Sequence, residues 1–214
     1  MFPLTAVLLP GTQMPLHIFE PRYRQLLRDC LNRDRVFGFI YRPQDVAERD
    51  IPPGTVGCRA TIGDVEPLVD GRANIIVTGG ERFALREFLD DEAPYHVAVV
   101  EPFGDEREPV AQQTALMMRL QELFADAARA ARTLADDAAA PPSLPDDPEA
   151  VAFAAASAID LDLSHRQRLL ASPSPSARMR DVIGVLDASL PSLSARAATH
   201  SRAKLNGHGP HKNT

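Results

Sequence analysis

Between Pro15 and Leu27 the chain reads Pro-Leu-His-Ile-Phe-Glu-Pro-Arg-Tyr-Arg-Gln-Leu-Leu. This stretch constrains the fold more than any other, because an extended apolar segment must become a helix at one residue. Pro21 marks the place. Its ring fixes φ near the helical value, and the N–H it lacks is one that the first turn of a helix cannot use. Glu20 then falls at the cap, where a carboxylate can accept orphan amide hydrogens and faces the positive end of the helix dipole. Beyond it Tyr23, Leu26, Leu27, Cys30 and Leu31 recur at three- and four-residue spacing, so one face of the helix is apolar.

Around this helix the first half of the chain is strand-like. Thr5 to Leu9 is apolar and β-branched and stops at Pro10-Gly11, which predicts a short strand, with Pro15 to Phe19 leading into the helix. Val36 to Tyr41 predicts another, ended by Pro43 because proline cannot donate to a ladder. Thr55 to Val69 predicts a long strand bent at Gly57 or Gly63, and Asp70-Gly71 is a favoured two-residue hairpin turn into Ala73 to Thr78. Gly79-Gly80 can take a corner before Arg82 to Leu89, and Pro94 precedes a last strand from Tyr95 to Val100. Short strands joined by glycine turns favour a closed or half-closed barrel, which removes open edges.

Composition changes after Phe103. Leu116, Leu120, Leu123, Phe124, Ala127, Ala131 and Leu134 trace one stripe of a long amphipathic helix. Residues 136–148, rich in Ala, Pro and Asp, read as a linker, and Asp147-Pro148 restarts a helix at Glu149. Ser164-His165-Arg166-Gln167 matches a capping box for a short helix to Ala171. A last helix carries Met179, Val182, Ile183, Leu186 and Leu190 on one face. The expected class is therefore α+β: a β-barrel subdomain with one early helix over residues 1–104, a small α-helical bundle over 105–190, and a polar tail over 191–214 that is expected to be mobile.

The helix entry with Phe2-Pro3-Leu4 and Leu8-Leu9-Pro10-Gly11 before it, Gly54 to Ala60, Asp70-Gly71-Arg72 through Gly80-Glu81-Arg82-Phe83, and Leu161 through Leu186 occur in this order along the chain. Together they resemble the N-terminal, substrate-binding domain of Lon proteases, and the resemblance covers nearly everything from Phe2 to about Leu190. It implies a pseudo-barrel related to PUA domains. It also implies that the domain engages unfolded or tagged polypeptide and hands it to an attached ATPase and protease.

The residue inventory removes most other chemistry. The only lysines are Lys204 and Lys212, so no Gly-x-x-x-x-Gly-Lys phosphate loop exists, and a Ser-Lys pair or Schiff-base lysine would have to come from the tail. Cys30 and Cys58 fit an apolar pattern and have no metal-like spacing, although either could in principle pair with His17 or His96 as nucleophile and base. His200, His208 and His211 have no carboxylate or thiol nearby in the sequence to complete a metal site. No catalytic residue, cofactor or metal is expected. A net charge of -6 argues against general affinity for nucleic acid or an anionic membrane. The sequence shows no secretory leader and no apolar run near the roughly 20 residues of a membrane span, which predicts a cytoplasmic location.

The expected function is a non-catalytic polypeptide-recognition module, an adaptor or client-binding protein in ATP-dependent proteolysis, whose partners are unfolded or tagged polypeptides and a protease or ATPase. Leu16, His17, Phe19, Arg22 and Tyr23 are the candidate contact residues. The alternative is an RNA-binding module of PUA type. It rests on Arg22, Arg24, Arg28, Arg33, Arg35 and Arg42, which face only Asp29 and Asp34 in the same stretch.

Overall fold

The structure is a computed structural model that describes residues 1–140 and 142–207. Six strands form one mixed sheet: β1 (Phe2–Leu4), β2 (Gln13–Ile18), β3 (Val36–Tyr41), β4 (Val56–Pro67), β5 (Ala73–Leu89) and β6 (Val97–Pro102). The order is β1-β3-β4-β5-β2, with β6 also on β5. Only β1 and β3 run parallel. β5 is the spine, because β4 lies along one side of it while β2 pairs with its residues 73–78 and β6 with residues 83–89 on the other.

The early helix α1 spans Pro21–Leu31 and buries Tyr23, Leu26, Leu27 and Cys30, as the spacing requires. Phe2 packs on Tyr23 at 4.2 Å between ring centroids and reaches Phe37 and Phe39 behind it. Glu20 does not cap with its side chain. Its carboxylate takes the Arg22 Nε–H at 2.9 Å, and its carbonyl accepts the Tyr23 and Arg24 amides. A guanidinium two residues away offers the carboxylate a charge-assisted bond that backbone amides do not.

Two strand expectations are corrected at Gly79. The first strand is Phe2–Leu4, not Thr5 to Leu9, and Ala73 to Leu89 is one strand, with an extra β5 residue between Gly79 and Arg82 opposite Cys58 to Ala60. Residues 7–9 are buried but cross the sheet as a loop, held by Gly11 N–H on the Gly79 carbonyl (2.8 Å) and Gly79 N–H on the Thr12 carbonyl (2.9 Å). A Cβ at Gly79 would lie 2.2 Å from the Leu9 carbonyl oxygen, so glycine is needed there for close approach. β4 does bulge between Ile62 and Val65, a span that contains Gly63, whereas the register shift between Cys58 and Ala60 places its extra residue on β5. The hairpin turn is one residue longer than expected. Leu68 N–H closes it on the Arg72 carbonyl at 2.8 Å, with Gly71 at φ 80°.

Two compact units emerge. The first comprises residues 1–107 and 156–175, the second 108–155 and 176–214, so the chain leaves the strand-rich unit and returns to it. Composition alone had assigned residues 156–175 to the helical part. In the first unit helix α4 (Leu163–Ala171) lies against β4, and Gln167 Nε2 donates to the Val56 carbonyl at 2.8 Å. Gln167 is therefore no capping-box partner. Asp162 caps α4 instead, accepting from the His165 amide and the Ser164 hydroxyl. Arg82 on β5, nearly inaccessible, donates to the carbonyls of Leu170 and Ser172 at 2.8 Å each and pairs with Asp105.

The helical unit is built from α2 (Val110–Leu134), α3 (Val151–Ala158, whose last turn passes into the first unit) and α5 (Pro175–Gly207). α2 buries Leu120, Leu123, Phe124 and Ala127 of the predicted stripe, leaves Leu116 and Leu134 half-buried, and buries Ala130 in place of Ala131, which is exposed. Arg178 on α5 stacks over Phe153 of α3 at 4.4 Å and donates to the Glu149 carbonyl. The expected mobile tail is corrected over most of its length, since α5 continues through Pro191 to Gly207. Ala197 is buried, and the Asp136 carboxylate receives His200 Nε2 (2.8 Å) and Lys204, which anchors the last turns. His208, His211 and Lys212 lie outside the described residues. No helix among the described residues is long and apolar enough to cross a membrane.

Candidate functional site

Strand alternation divides the segment Leu16 to Tyr23 into two sets. Leu16 and Ile18 face inward and are buried, while His17 and Phe19 face outward, Phe19 with 56% of its surface exposed. The Phe19 ring stacks on His17 at 5.9 Å and 22°. His17 Nδ1 lies 2.8 Å from Asn74 Oδ1, and Asn74 Nδ2 donates to Glu66 at 2.9 Å, so a polar row crosses β2, β5 and β4 in register. This row holds the imidazole, and through it supports an aromatic ring that projects into water.

Tyr23 and Arg22 do a different job. Tyr23 is buried on Phe2, so it is no contact residue for a partner chain, and neither is Leu16. Arg22 spans Glu48 with two bonds of 2.5 and 2.8 Å, takes Glu20 as well, and lies 4.4 Å over the Tyr23 ring. His96 Nε2 reaches Glu48 at 2.7 Å. Burial alone would raise the Glu48 carboxyl, but the hydrogen bonds from Arg22 and His96 hold it below the ordinary carboxylate range. Its hydrogen bond to Glu48 raises the Arg22 pKa. The cluster is a structural clamp from α1 to the turn at residues 48–50 and to the approach to β6. Of the five expected contact residues, His17 and Phe19 are presented to solvent. Nothing in the sequence marks Asn74 and Glu66 as supports of His17, or Glu48 as the partner of Arg22.

Several arginines of the arginine-rich stretch are engaged within the domain. Arg22 is held by Glu20 and Glu48, and Arg42 gives its Nη1 hydrogens to the carbonyls of Pro43, Gln44 and Val46. Arg35, at φ 59° just past α1, donates to Ile62 and Gly63 across the bulge of β4. The Arg24 guanidinium lies against Gly71, where a Cβ would stand 2.2 Å from its Nη2. Arg28 bonds Gln25, and Arg28, Arg33 and Arg35 are exposed.

Thiol chemistry has no support either. Burial pushes the Cys58 thiol up to about 12 and raises Cys30, and each donates to a main-chain carbonyl, Gly80 and Val36 respectively. Among the described residues no group of three or more His, Cys, Asp or Glu side chains could hold a metal ion. His200 does meet a carboxylate, that of Asp136, but Lys204 shares the same oxygen.

His17 and Phe19 thus present an exposed contact surface, beside which stand the comparisons with known proteins. The model of the ATP-dependent protease La (LON) substrate-binding domain matches residues 1–188. The chain belongs to this Lon substrate-binding domain family. Among curated proteins it is 27% identical over 185 residues to Lon protease 2 of Herpetosiphon aurantiacus, covering 86% of this chain and 23% of that one. It is 25% identical over 204 residues to Lon protease 2 of Syntrophobacter fumaroxidans, covering 92% and 25%. The chain thus spans about a quarter of the length of the Lon proteases it matches. Among solved structures, the crystal structure of a Lon N-terminal domain protein from Xanthomonas campestris superposes with a TM-score of 0.59 at 25% identity, over 86% of this chain and 95% of that one. The N-terminal domain of Mycobacterium avium complex Lon protease gives 0.66 at 17% identity over 87% and 96%, a likeness of fold. The Lon-type fold is therefore α+β, with the six-stranded sheet followed by helices.

Proposed function

We propose that this protein is a non-catalytic polypeptide-recognition module that holds unfolded or tagged clients by apolar contact, acting as an adaptor or client-binding component in ATP-dependent proteolysis. The observation that carries the reading is the match to a substrate-binding domain across residues 1–188. Phe19 is the proposed anchor and His17 its support. An exposed aromatic ring on a fixed strand end offers a large apolar contact at small entropic cost, and it requires little sequence information from the client. The RNA reading ranks lower, because Arg22, Arg35 and Arg42, three of the six arginines it uses, are engaged with carboxylates and carbonyls of the domain itself.

A fluorescent unfolded client titrated at low and at high salt, beside a single-stranded RNA of similar size, tests the proposal. Micromolar binding of the client that changes little with salt, weakened by Phe19→Ser, is the expected result. Steep salt loss would instead mark phosphate contacts. RNA binding without client binding overturns the reading, as does hydrolysis of ATP or of casein-like protein above a buffer control.

A further inference from the structure

The flank of β5 opposite β4 ends in two edge strands that are treated very differently. β2 carries Pro15, which an edge strand tolerates only with its nitrogen turned away from the neighbour, so a donor is deleted from the open side. β6 carries its charge and its proline, Glu101 and Pro102, only at its far end, beyond residues 97–100. Val97-Ala98-Val99-Val100 contains no charge and no proline, and among the described residues β6 pairs with β5 alone. Val99 and Val100 are 42% and 41% exposed, and as successive strand residues they stand on opposite faces. At its approach, the Met1 ammonium meets the His96 carbonyl at 2.6 Å.

An unguarded, β-branched edge presents alternate N–H and C=O groups that only water or another extended chain can satisfy, and natural sheets ordinarily protect such edges. The charge around it is one-sided. Glu87, Asp90, Asp91, Glu92 and Glu101 line the β5–β6 ribbon and its connection, against Arg86 and Arg49, which pair with Glu101 and Asp90 respectively. Glu87, Asp91 and Glu92 are exposed.

We propose that the free edge of β6, residues 97–100, accepts an extended apolar polypeptide segment flanked by basic residues, which adds to the sheet as a further strand. This rests on the recognition reading above and gives it a second surface, at the opposite end of β5 from Phe19. Main-chain pairing supplies attachment independent of sequence, the two valines grip side chains on either face, and the carboxylates select the flanks.

The probe is a labelled peptide, Lys-Val-Thr-Val-Thr-Val-Lys, followed by anisotropy against the full chain. Three comparisons decide. The same peptide N-methylated at alternate residues keeps its side chains but loses the donors of one edge, and at least a tenfold loss of affinity is expected at any salt. A version with glutamate flanks is expected to bind several-fold more weakly at low salt, the difference fading at high salt. Val99→Lys, which places an ordinary edge guard on β6, is expected to abolish binding, whereas Val99→Thr retains it. Equal affinity for the methylated and unmethylated peptides on the wild-type protein overturns the proposal regardless of how any variant folds. So does sedimentation showing that β6 instead pairs with a second copy, as a dimer lost in Val99→Lys. If an unfolded client binds wild type and Val99→Lys alike but not Phe19→Ser, the β6 site fails while the recognition reading stands. If wild type binds neither client nor peptide, both fail.

Discussion

In the strand-rich unit Arg35, Arg42 and Arg82 give guanidinium hydrogens to main-chain carbonyls, alongside carboxylate pairs such as Arg22–Glu48 and Arg86–Glu101, while in the helical unit Arg119, Arg129 and Arg132 pair with carboxylates at the surface. The reason lies in what each architecture leaves unbonded. A helix satisfies its own interior carbonyls, so its arginines are left to side-chain partners. The sheet unit has a bulge that frees Ile62 and Gly63, a loop over residues 43–46, and a helix end that frees Leu170 and Ser172. Guanidinium donors complete the backbone accounting at each. Arg178, with Phe153 and the Glu149 carbonyl, is the helical unit's exception, and it too is fully buried.

If this contrast governs stability, Arg82→Ala should have the largest effect. It breaks the buried ion pair with Asp105 and the bonds to two carbonyls, and should cost about 3–5 kcal/mol in urea denaturation. Arg82→Lys should recover little, since one ammonium cannot reproduce the planar fork. A loss under 1 kcal/mol would break the contrast. Gly79→Ala tests the loop crossing by a different route, because the new Cβ meets the Leu9 carbonyl, and should cost about 1–3 kcal/mol by thermal or urea melt.

A smaller effect is expected from acid. The folded pKa of Glu48 is depressed, so its contribution is complete above the unfolded carboxylate value of about 4.3 and is lost as pH falls through the lower folded value. The stability gap between wild type and Glu48→Gln should therefore shrink between pH 7 and pH 3.5, and a gap that widened would refute the clamp. The smallest effects belong to the surface pairs. Arg119→Ala in the helical unit should stay within about 0.5 kcal/mol. Glu20→Ala should do the same, where a true cap would have cost about 1 kcal/mol.

That last figure shows where sequence reading ran out. The periodic apolar residues of α1 and α2 and the β-branched run of β3 were legible, because spacing alone fixes which face is buried. The cap at Glu20 and the box at Ser164 were not. Each depended on which of two competing partners a side chain would choose, and Arg22 and Asp162 are choices made in three dimensions. Gly79 was rightly singled out for the wrong reason, since the Leu9 carbonyl that demands a glycine is far away in sequence. At the candidate surface the alternation of β2 separates Leu16 and Ile18 from His17 and Phe19, but burial of Tyr23 and capture of Arg22 by Glu48 come from distant segments. The helical run past Pro191 was missed because its anchor, Asp136, is carried by the linker.

The carbonyls that Arg82 grips belong to residues 88 and 90 positions later in the chain. On a ribosome adding about 5–20 residues per second, those acceptors appear roughly 4–18 s after the arginine itself. During that interval the entire β-rich segment has been made, yet the charged group destined for its interior still lacks the carbonyls of Leu170 and Ser172. A nascent chain paused anywhere before residue 172 would hold an unfinished sheet with a hydrated guanidinium in its midst, the kind of exposed, half-built surface on which chaperones act.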